Sequence, residues 1–121
     1  MTPWAITPLA VLLAGLALKG LNLRLTKRLA PTRRPVGTSP RDHGLTGETV
    51  TFLTQRQREL KAWWLPGTSG SGVIVVTHGW GANRKMMLPL ARPLQAAGWS
   101  VLLFDARSHG DSDADNFSSL P

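Results

Sequence analysis

Two short segments of this 121-residue chain combine residue types that can support chemistry. The first is THGWGANR, residues 77–84, and the second is DARSHGDSD, residues 105–113. In the first segment Gly79 and Gly81 carry no Cβ atom, so backbone N–H groups near Trp80 can face a cavity. N–H groups presented just before a helix stabilise an anion, either a phosphate or the oxyanion of an acyl-transfer intermediate.

The glycine spacing does not match the common nucleotide-binding loops. A Walker loop needs G-x-x-x-x-G-K-[ST], which the sequence lacks, and G-x-G-x-x-G fails because Arg84 stands where the third glycine would be. The chain also has no cysteine, which excludes disulfide frameworks, thiol nucleophiles and Cys-ligated metal centres. The residues alone therefore leave the anion open, as a phosphate held by another kind of loop or as an oxyanion, and we predict no cofactor and no metal.

Two less favoured interpretations use the polar residues of the second segment. Ser108, His109 and Asp111 are the residue types of a catalytic triad, but neighbours in one loop rarely face each other. His78 and His109 could share a metal ion with carboxylates of DSDAD, residues 111–115, although the site needs a third well-placed ligand. A solvated polar loop is the simpler explanation of that run.

The residues between the amino-terminal third and the first segment predict a β-hairpin. Residues 48–54, ETVTFLT, alternate polar and apolar types as a half-buried strand does. Residues 58–67, RELKAWWLPG, predict a second strand that stops at Pro66-Gly67. The short polar join QRQ favours antiparallel pairing of the two strands.

The two chemical segments lie at the ends of predicted strands. Residues 72–79, GVIVVTHG, form a continuous β-branched run typical of a strand buried on both faces. A helix from an N-cap at Asn83 to Ala97 follows, with an expected kink at Pro93. Its predicted apolar stripe consists of Met87, Leu90, Leu94 and Ala97. Residues 100–105, SVLLFD, complete a parallel βαβ unit, whose carboxyl-end loops commonly carry function.

The chain begins with a hydrophobic segment. Residues 3–18 carry no charge and would span roughly 24 Å as a helix, a length that GLNL can extend to Leu23. A cleaved signal peptide is the rival interpretation, but it lacks a cationic start and a clean cleavage site. A buried or interfacial helix is the third. We predict a single membrane anchor at residues 1–23.

The positive charge is concentrated beside this segment. The net charge of +7 comes from residues 19–41, which hold seven cations and no acid, while residues 42–121 sum to zero. Cations on one side of a membrane span favour the cytoplasmic side. We therefore predict that the amino terminus lies outside and that the rest of the chain lies in the cytoplasm. No aromatic residue interleaves with these cations, which argues against nucleic-acid binding. We predict a basic, proline-rich juxtamembrane linker at residues 24–41 and a globular portion at residues 42–121.

Together the two segments resemble the amino-terminal part of the α/β-hydrolase superfamily, in its esterase, lipase and serine-aminopeptidase-like branch. In that branch the third strand ends in His-Gly, here His78-Gly79, and the fourth ends in Asp-x-Arg-x-His-Gly-x-Ser. The second motif falls on Asp105, Arg107, His109, Gly110 and Ser112. The resemblance covers about residues 48–113. It implies an α/β fold with a β-hairpin and then a βαβ unit, preceded here by a single transmembrane helix.

The resemblance also implies roles for these residues. The backbone N–H of Trp80, which follows His-Gly, would be one donor of the oxyanion hole. Such a donor lowers the barrier by roughly 3–4 kcal/mol. The residues that would brace the two loops are His78, Gly79, Gly81, Asp105, Arg107, His109 and Gly110. His78 would hold its loop in place rather than act as a base.

Two departures from the family pattern shape the predicted function. The usual Asp-Gly hairpin turn is replaced by QRQ, and no G-x-S-x-G nucleophile motif occurs in the sequence. In that family the triad Ser, Asp and His follow the fourth strand, so we expect the front part of a longer enzyme, inactive alone. That enzyme would be a membrane-anchored serine hydrolase acting on an ester, thioester or amide of a small-molecule, lipid or peptide acyl substrate. The alternative is a non-catalytic, membrane-tethered α/β fragment or interaction module.

Overall fold

The computed structural model describes the backbone of residues 3–115 and the side chains of residues 7–115. Two compact units form, at residues 1–30 and 31–121. The helices are α1 (Pro3–Leu29), a 3₁₀ turn (Arg41–His43), a second 3₁₀ turn (Arg84–Met87) and α2 (Leu88–Ala96). The strands are β1 (Glu48–Leu53), β2 (Glu59–Leu65), β3 (Val73–Thr77) and β4 (Ser100–Phe104). Residues 116–121 of the predicted globular portion lie outside the described residues.

Helix α1 is long and apolar. Its residues Thr7–Leu29 have a mean hydropathy of 1.5 and the length to cross a membrane, a property that signal sequences share. The helix continues six residues past the predicted boundary at Leu23, because residues 24–29 contain no helix breaker and alternate leucines with cations. Lys27 and Arg28 lie in the last turn, where cations interact favourably with the helix dipole.

The sheet confirms the predicted hairpin and βαβ unit. Strand order is β1-β2-β4-β3, with β1 antiparallel to β2, β2 antiparallel to β4, and β3 parallel to β4. The hairpin register pairs Glu48 with Trp64 and Leu53 with Glu59. Since β3 and β4 are parallel, the loops that follow them lie together at the carboxyl ends of the strands.

One face of the sheet carries the core. Trp63, Leu103 and Val76 lie opposite one another across three strands and are buried. Together with other side chains they form a single apolar cluster, which burial removes from water. The buried members of that cluster are Val36, Trp63, Leu65, Val76, Leu88, Ala91, Val101 and Leu103.

Strand β3 departs from the expectation of burial on both faces. It lies at the sheet edge among the described residues, and Val73 and Val75 are 55% and 59% exposed. Their side chains point away from the core cluster, because neighbouring residues of a strand alternate between faces. The second face of the sheet is thus apolar at β3, and no other part of residues 31–115 covers it there.

The helix after β3 also differs from its predicted form. Asn83 is an N-cap, as expected, and its side-chain oxygen accepts the N–H of Lys85 at 3.1 Å. The chain then forms a 3₁₀ turn before α2, with Pro89 in the first turn of the α-helix. After this change of pitch Leu88 and Ala91 are buried. The predicted stripe residues Met87 and Leu94 are partly buried against the core, whereas Leu90 is 52% exposed. Pro93 lies inside α2 without splitting it.

The predicted linker is mostly structured. Residues 24–29 belong to α1, whereas residues 31–40, here called the strap, belong to the second unit. Val36 is 4% exposed and Pro40 is fully buried. Next to the strap, the carboxylate of Asp42 accepts the backbone N–H of Ser39 at 2.8 Å, and this bond lowers the pKa of Asp42. Residues 31–40 have no helix or strand and are exposed over much of their length, but Val36 and Pro40 fix them to the second unit.

Candidate functional site

The loop after β3, residues 78–82, forms a tight turn at the carboxyl ends of the parallel strands. The N–H of Ala82 donates to the carbonyl oxygen of Gly79 at 3.1 Å, which closes a four-residue turn with Trp80 at its second position. Gly81 has a φ of 71°, a conformation that favours glycine. The turn holds Trp80 at its tip, with the residue 55% exposed.

The loop after β4, residues 105–113, is fastened to the neighbouring strand β2. Ser112 is fully buried, and its hydroxyl donates to the Asp105 carbonyl oxygen at 2.7 Å while accepting the N–H of Lys61 at 2.9 Å. The N–H of Asp113 donates to the carbonyl oxygen of Glu59 at 2.9 Å. These hydrogen bonds continue the pairing with β2 beyond the end of β4. The second loop is therefore held in one position on β2.

Two histidines join the loops reciprocally. His78, in the first loop, accepts the N–H of Ala106 in the second at 3.0 Å through Nε2. His109, in the second loop, accepts the N–H of Gly81 in the first at 3.1 Å, also through Nε2. The ring centroids lie 4.9 Å apart, and the Trp80 indole packs edge-on against His109 at 5.3 Å. Each loop is therefore braced by a side chain of the other.

The second nitrogen of each ring fixes its tautomer. Nδ1 of His78 lies 2.9 Å from the Gly79 carbonyl oxygen, and Nδ1 of His109 lies 2.9 Å from that of Arg107. A nitrogen that accepts a hydrogen bond carries no proton, so the proton of each neutral ring lies on Nδ1 and donates to the carbonyl. Both rings hold backbone groups on both sides.

A buried ion-pair network lies beneath the loops. Asp105 is fully buried, and its carboxylate accepts the N–H of Arg84 at 2.6 Å and that of Asp111 at 3.0 Å. The Arg84 guanidinium, which is 3% exposed, pairs with Asp105 and reaches Asp111 at 2.8 Å. Its central carbon also lies 5.1 Å above the Trp63 ring, a cation–π contact. The network joins Arg84, at the start of the 3₁₀ turn, to Asp105 and Asp111 of the second loop.

Sequence reasoning missed Arg84 and gave Asp111 no structural role. One usable signal was present, because an aspartate at the end of a buried strand needs a cation or several N–H donors. Gly110 was assigned a bracing role, and the structure gives the reason. Its φ is 49°, and a Cβ atom there would overlap the Asp105 carboxylate.

Arg107 lies apart from the histidine pair. Its guanidinium donates to the Asp115 carboxylate at 3.1 Å, and Arg56 from the hairpin turn approaches the same carboxylate at 3.9 Å. The Ser108 hydroxyl also bonds the Asp115 backbone. Arg107 and Ser108 thus fix the outer end of the second loop, and Ser108 is turned away from a triad with its sequence neighbours.

A shallow cavity of about 120 Å³ opens between the two loops. Its lining consists of His78, Gly79, Trp80, Ala106 and His109. Larger hollows of about 450 and 550 Å³ share Leu45, Thr46 and Pro66 at the opposite edge of the sheet. Ligands of open α/β sheets bind at the carboxyl ends of parallel strands, so the smaller cavity is the better candidate despite its size.

The comparison with family models gave no match. Among curated proteins, the chain is 39% identical over 66 residues to an uncharacterized protein of Mycobacterium tuberculosis, a match covering 53% of this chain and 24% of that protein. It is 35% identical over 69 residues to the thiohydrolase aneE of Aspergillus aculeatus, covering 56% and 22%. The matches therefore span about a quarter of each curated relative.

Solved structures give a wider match. An esterase of Pyrococcus furiosus, Pf2001, superposes with a TM-score of 0.63 at 28% identity, over 75% of this chain and 34% of the esterase. The α/β hydrolase GrgF of a Penicillium species superposes with a TM-score of 0.52 at 30% identity, over 59% and 25%. By sequence and by fold, this chain is related to the α/β-hydrolase superfamily.

Proposed function

We propose that this chain supplies the oxyanion side of a membrane-anchored serine hydrolase. The enzyme cleaves an ester, thioester or amide bond through a nucleophile that these 121 residues do not provide. The backbone N–H of Trp80 is the proposed donor to the developing oxyanion. The observation that carries the proposal is the reciprocal bracing of the two loops by His78 and His109.

The bracing matters because an oxyanion hole works by preorganisation. A donor that is fixed before the reaction needs no reorganisation when charge develops on the substrate oxygen. The Gly79–Ala82 turn is closed internally, and its Gly81 N–H is held by His109. The tip of the turn therefore keeps one geometry beside the cavity between the loops.

The chemistry of the similar proteins supports acyl transfer as the reaction class. One solved neighbour is an esterase, and one curated relative is a thiohydrolase. Both names describe removal of an acyl group from an oxygen or a sulfur. We extend this reaction class, but neither protein's substrate, to the present chain.

The anchor is part of the proposal. Helix α1 has the length and the hydropathy of a membrane span, and its cations cluster at the carboxyl end. By the distribution of Lys and Arg, the second unit would face the cytoplasm. The acyl substrate, whether lipid, peptide or small molecule, would be met there.

A fluorophosphonate probe tests the reaction class directly. The probe is applied to the 121-residue chain and to the product of any reading frame that continues beyond Pro121. Labelling of the longer product alone supports a hydrolase of which this chain is the front part. Labelling of the short chain would identify a nucleophile among Ser100, Ser108 and Ser112 and would overturn the proposal. If neither product is labelled, the non-catalytic module becomes the better interpretation.

A pair of substitutions at one position tests the role of Trp80 in the labelled enzyme. Trp80→Pro removes the backbone N–H, and proline suits the second position of such a turn. We expect kcat/KM for an acyl ester to fall by about 10²–10³. Trp80→Ala keeps the N–H and removes the indole, so it is the matched control and should stay within about tenfold of the parent. Equal losses in the two variants would contradict the assignment.

A further inference from the structure

We infer that Arg33, in the strap, is a positioning residue for the proposed oxyanion turn. The expected effect of Arg33 on catalysis rests on the proposed function. Its effect on the position of the two loops rests on the contacts described below. The strap precedes the sheet by several residues, and its sequence suggested only a spacer. Its contacts instead reach both loops of the site.

The Arg33 side chain holds the backbone of the second loop. Its Nε donates to the carbonyl oxygen of Gly110 at 3.0 Å, and its terminal nitrogen donates to that of Ser112. Hydrogen bonds from a charged donor are stronger than neutral ones, and the guanidinium fork fixes two acceptors at once. Arg33 thereby bridges two carbonyl groups on either side of Asp111.

The strap backbone holds both loops as well. The Val36 N–H donates to the Asp111 carboxylate at 3.2 Å. The Arg34 carbonyl oxygen accepts the side-chain N–H of Asn83 at 2.8 Å, directly after the first loop. Val36 is buried in the core cluster, so the strap is fixed in place and its polar contacts need little further ordering.

Arg33 connects to the oxyanion turn through two links. Gly110 follows His109, whose imidazole accepts the Gly81 N–H at 3.1 Å. Gly81 in turn follows Trp80, the proposed donor. A displacement of the Gly110 carbonyl would therefore move the His109 ring and weaken its hydrogen bond to Gly81. The turn would then loosen although Trp80 itself is not substituted.

Arg33 and Arg34 form a matched pair for the test. Both residues are exposed and adjacent, and replacement of either by Gln removes one positive charge and leaves the core intact. Of these two arginines, Arg33 is the one whose side chain hydrogen-bonds to the second loop in the described structure. Comparison of Arg33→Gln with Arg34→Gln separates the specific contacts from the general loss of charge.

The measurement is amide hydrogen exchange by NMR on the full 121-residue chain in detergent micelles. In Arg33→Gln we expect the Gly81 amide to exchange about tenfold faster and its chemical shift to move, while amides of the β1–β2 hairpin stay unchanged. In Arg34→Gln the Gly81 amide should match the parent. Equal behaviour of the two variants, or a uniform acceleration across the sheet, would overturn the inference.

The catalytic arm uses the longer, probe-labelled enzyme. There Arg33→Gln should lower kcat about tenfold with little change in KM, because a loosened oxyanion turn stabilises the transition state less. A matching loss in Arg34→Gln would overturn the positioning role. If no longer enzyme exists, the proposed function fails, whereas the exchange experiment still decides whether Arg33 holds the loops.

Discussion

His78 and His109 illustrate how the residues of this site are used. Each ring accepts a backbone N–H through Nε2 and donates through Nδ1 to a carbonyl oxygen, so neither has a nitrogen left for a substrate proton. A general base must lie within hydrogen-bond reach of the proton that it removes. In this arrangement the two histidines set the shape of the loops, and the proposed chemistry falls to the backbone.

Gly110 offers a sharp test of the loop geometry. Gly110→Ala places a methyl group against the Asp105 carboxylate and forces alanine into a positive φ, so we expect a loss of about 2–4 kcal/mol. Gly44→Ala is the control, because Gly44 has a φ of 69° but no atom near its absent Cβ. It should cost about 1 kcal/mol. Urea unfolding followed by tryptophan fluorescence measures both, and equal costs would exclude the steric explanation.

Arg84 is the second residue whose loss should be severe. Arg84→Ala leaves the fully buried Asp105 without its cation, and removal of one partner of a buried pair costs about 3–5 kcal/mol. The neighbouring Lys85 is exposed, and Lys85→Ala should change stability by less than about 0.5 kcal/mol. Thermal unfolding of the two variants gives the comparison. A mild effect at Arg84 would mean that the backbone N–H groups alone stabilise Asp105.

At the scale of elements, the hairpin turn shows what an unusual turn sequence does. Thr54 and Arg58 pair across a three-residue loop, within which the Gln57 N–H donates to the Thr54 carbonyl oxygen at 3.0 Å. Gln57 then adopts a φ of 56°, the left-handed conformation in which glycine is usual for such loops. QRQ therefore builds an ordinary hairpin and leaves one residue strained.

Relief of that strain is measurable. Gln57→Gly should stabilise the second unit by about 0.5–1 kcal/mol, since the left-handed penalty of Gln exceeds the entropy cost of Gly. Gln55→Gly, two residues earlier in the same loop, lacks a positive φ and should be neutral or destabilising. Midpoints of urea unfolding distinguish the two. A loss of stability at Gln57 would show that the unfolded-state entropy dominates.

Periodicity and turn chemistry predicted all four strands and the order of the elements, because those depend on local patterns. The same reasoning missed the 3₁₀ turn at Arg84–Met87, after which Leu88 and Ala91 are buried while Leu90 is exposed. It also missed the strap, because Arg33 and its partner Gly110 are 77 residues apart and no local pattern announces such a contact. The family motifs named the loop residues, whose catalytic role stays a prediction, while Arg84, the buried partner of Asp105, lies outside both family motifs.

At the scale of the whole molecule, one face of the sheet carries the core, and the opposite face, here called the open face, leaves apolar side chains exposed at β1 and β3 within residues 31–115. Val73 and Val75 are more than half exposed at the edge strand, and Phe52 is 38% exposed on β1. Large apolar side chains exposed in this way can mark contact sites or aggregation hazards. Solution studies of the second unit therefore need a control that separates membrane association from aggregation.

Deletion of residues 2–29 tests the anchor at this scale. We expect the full chain to float with membranes on a density gradient after carbonate washing and the deleted chain to leave that fraction, since α1 supplies the apolar span. Aggregates sediment instead of floating, which removes the ambiguity of the open sheet face. The intact mass of the full chain from membranes shows whether residues 1–23 are retained, as an anchor requires and a cleaved signal peptide does not. Flotation of the deleted chain would contradict the proposal.

The strap has a consequence for how the protein is made. The hydrogen bond from Arg33 to Gly110 cannot form until Gly110 has been synthesised, 77 residues later in the chain. At about 5–20 residues per second, the ribosome delivers that partner roughly 4–15 s after it delivers Arg33. During that interval the hydrophobic helix and the strap have been synthesised, whereas the loop that Arg33 binds has not. The apolar helix and the strap are therefore made well before the loops of the site, and the histidine-braced loops can close only after Gly110 has been synthesised.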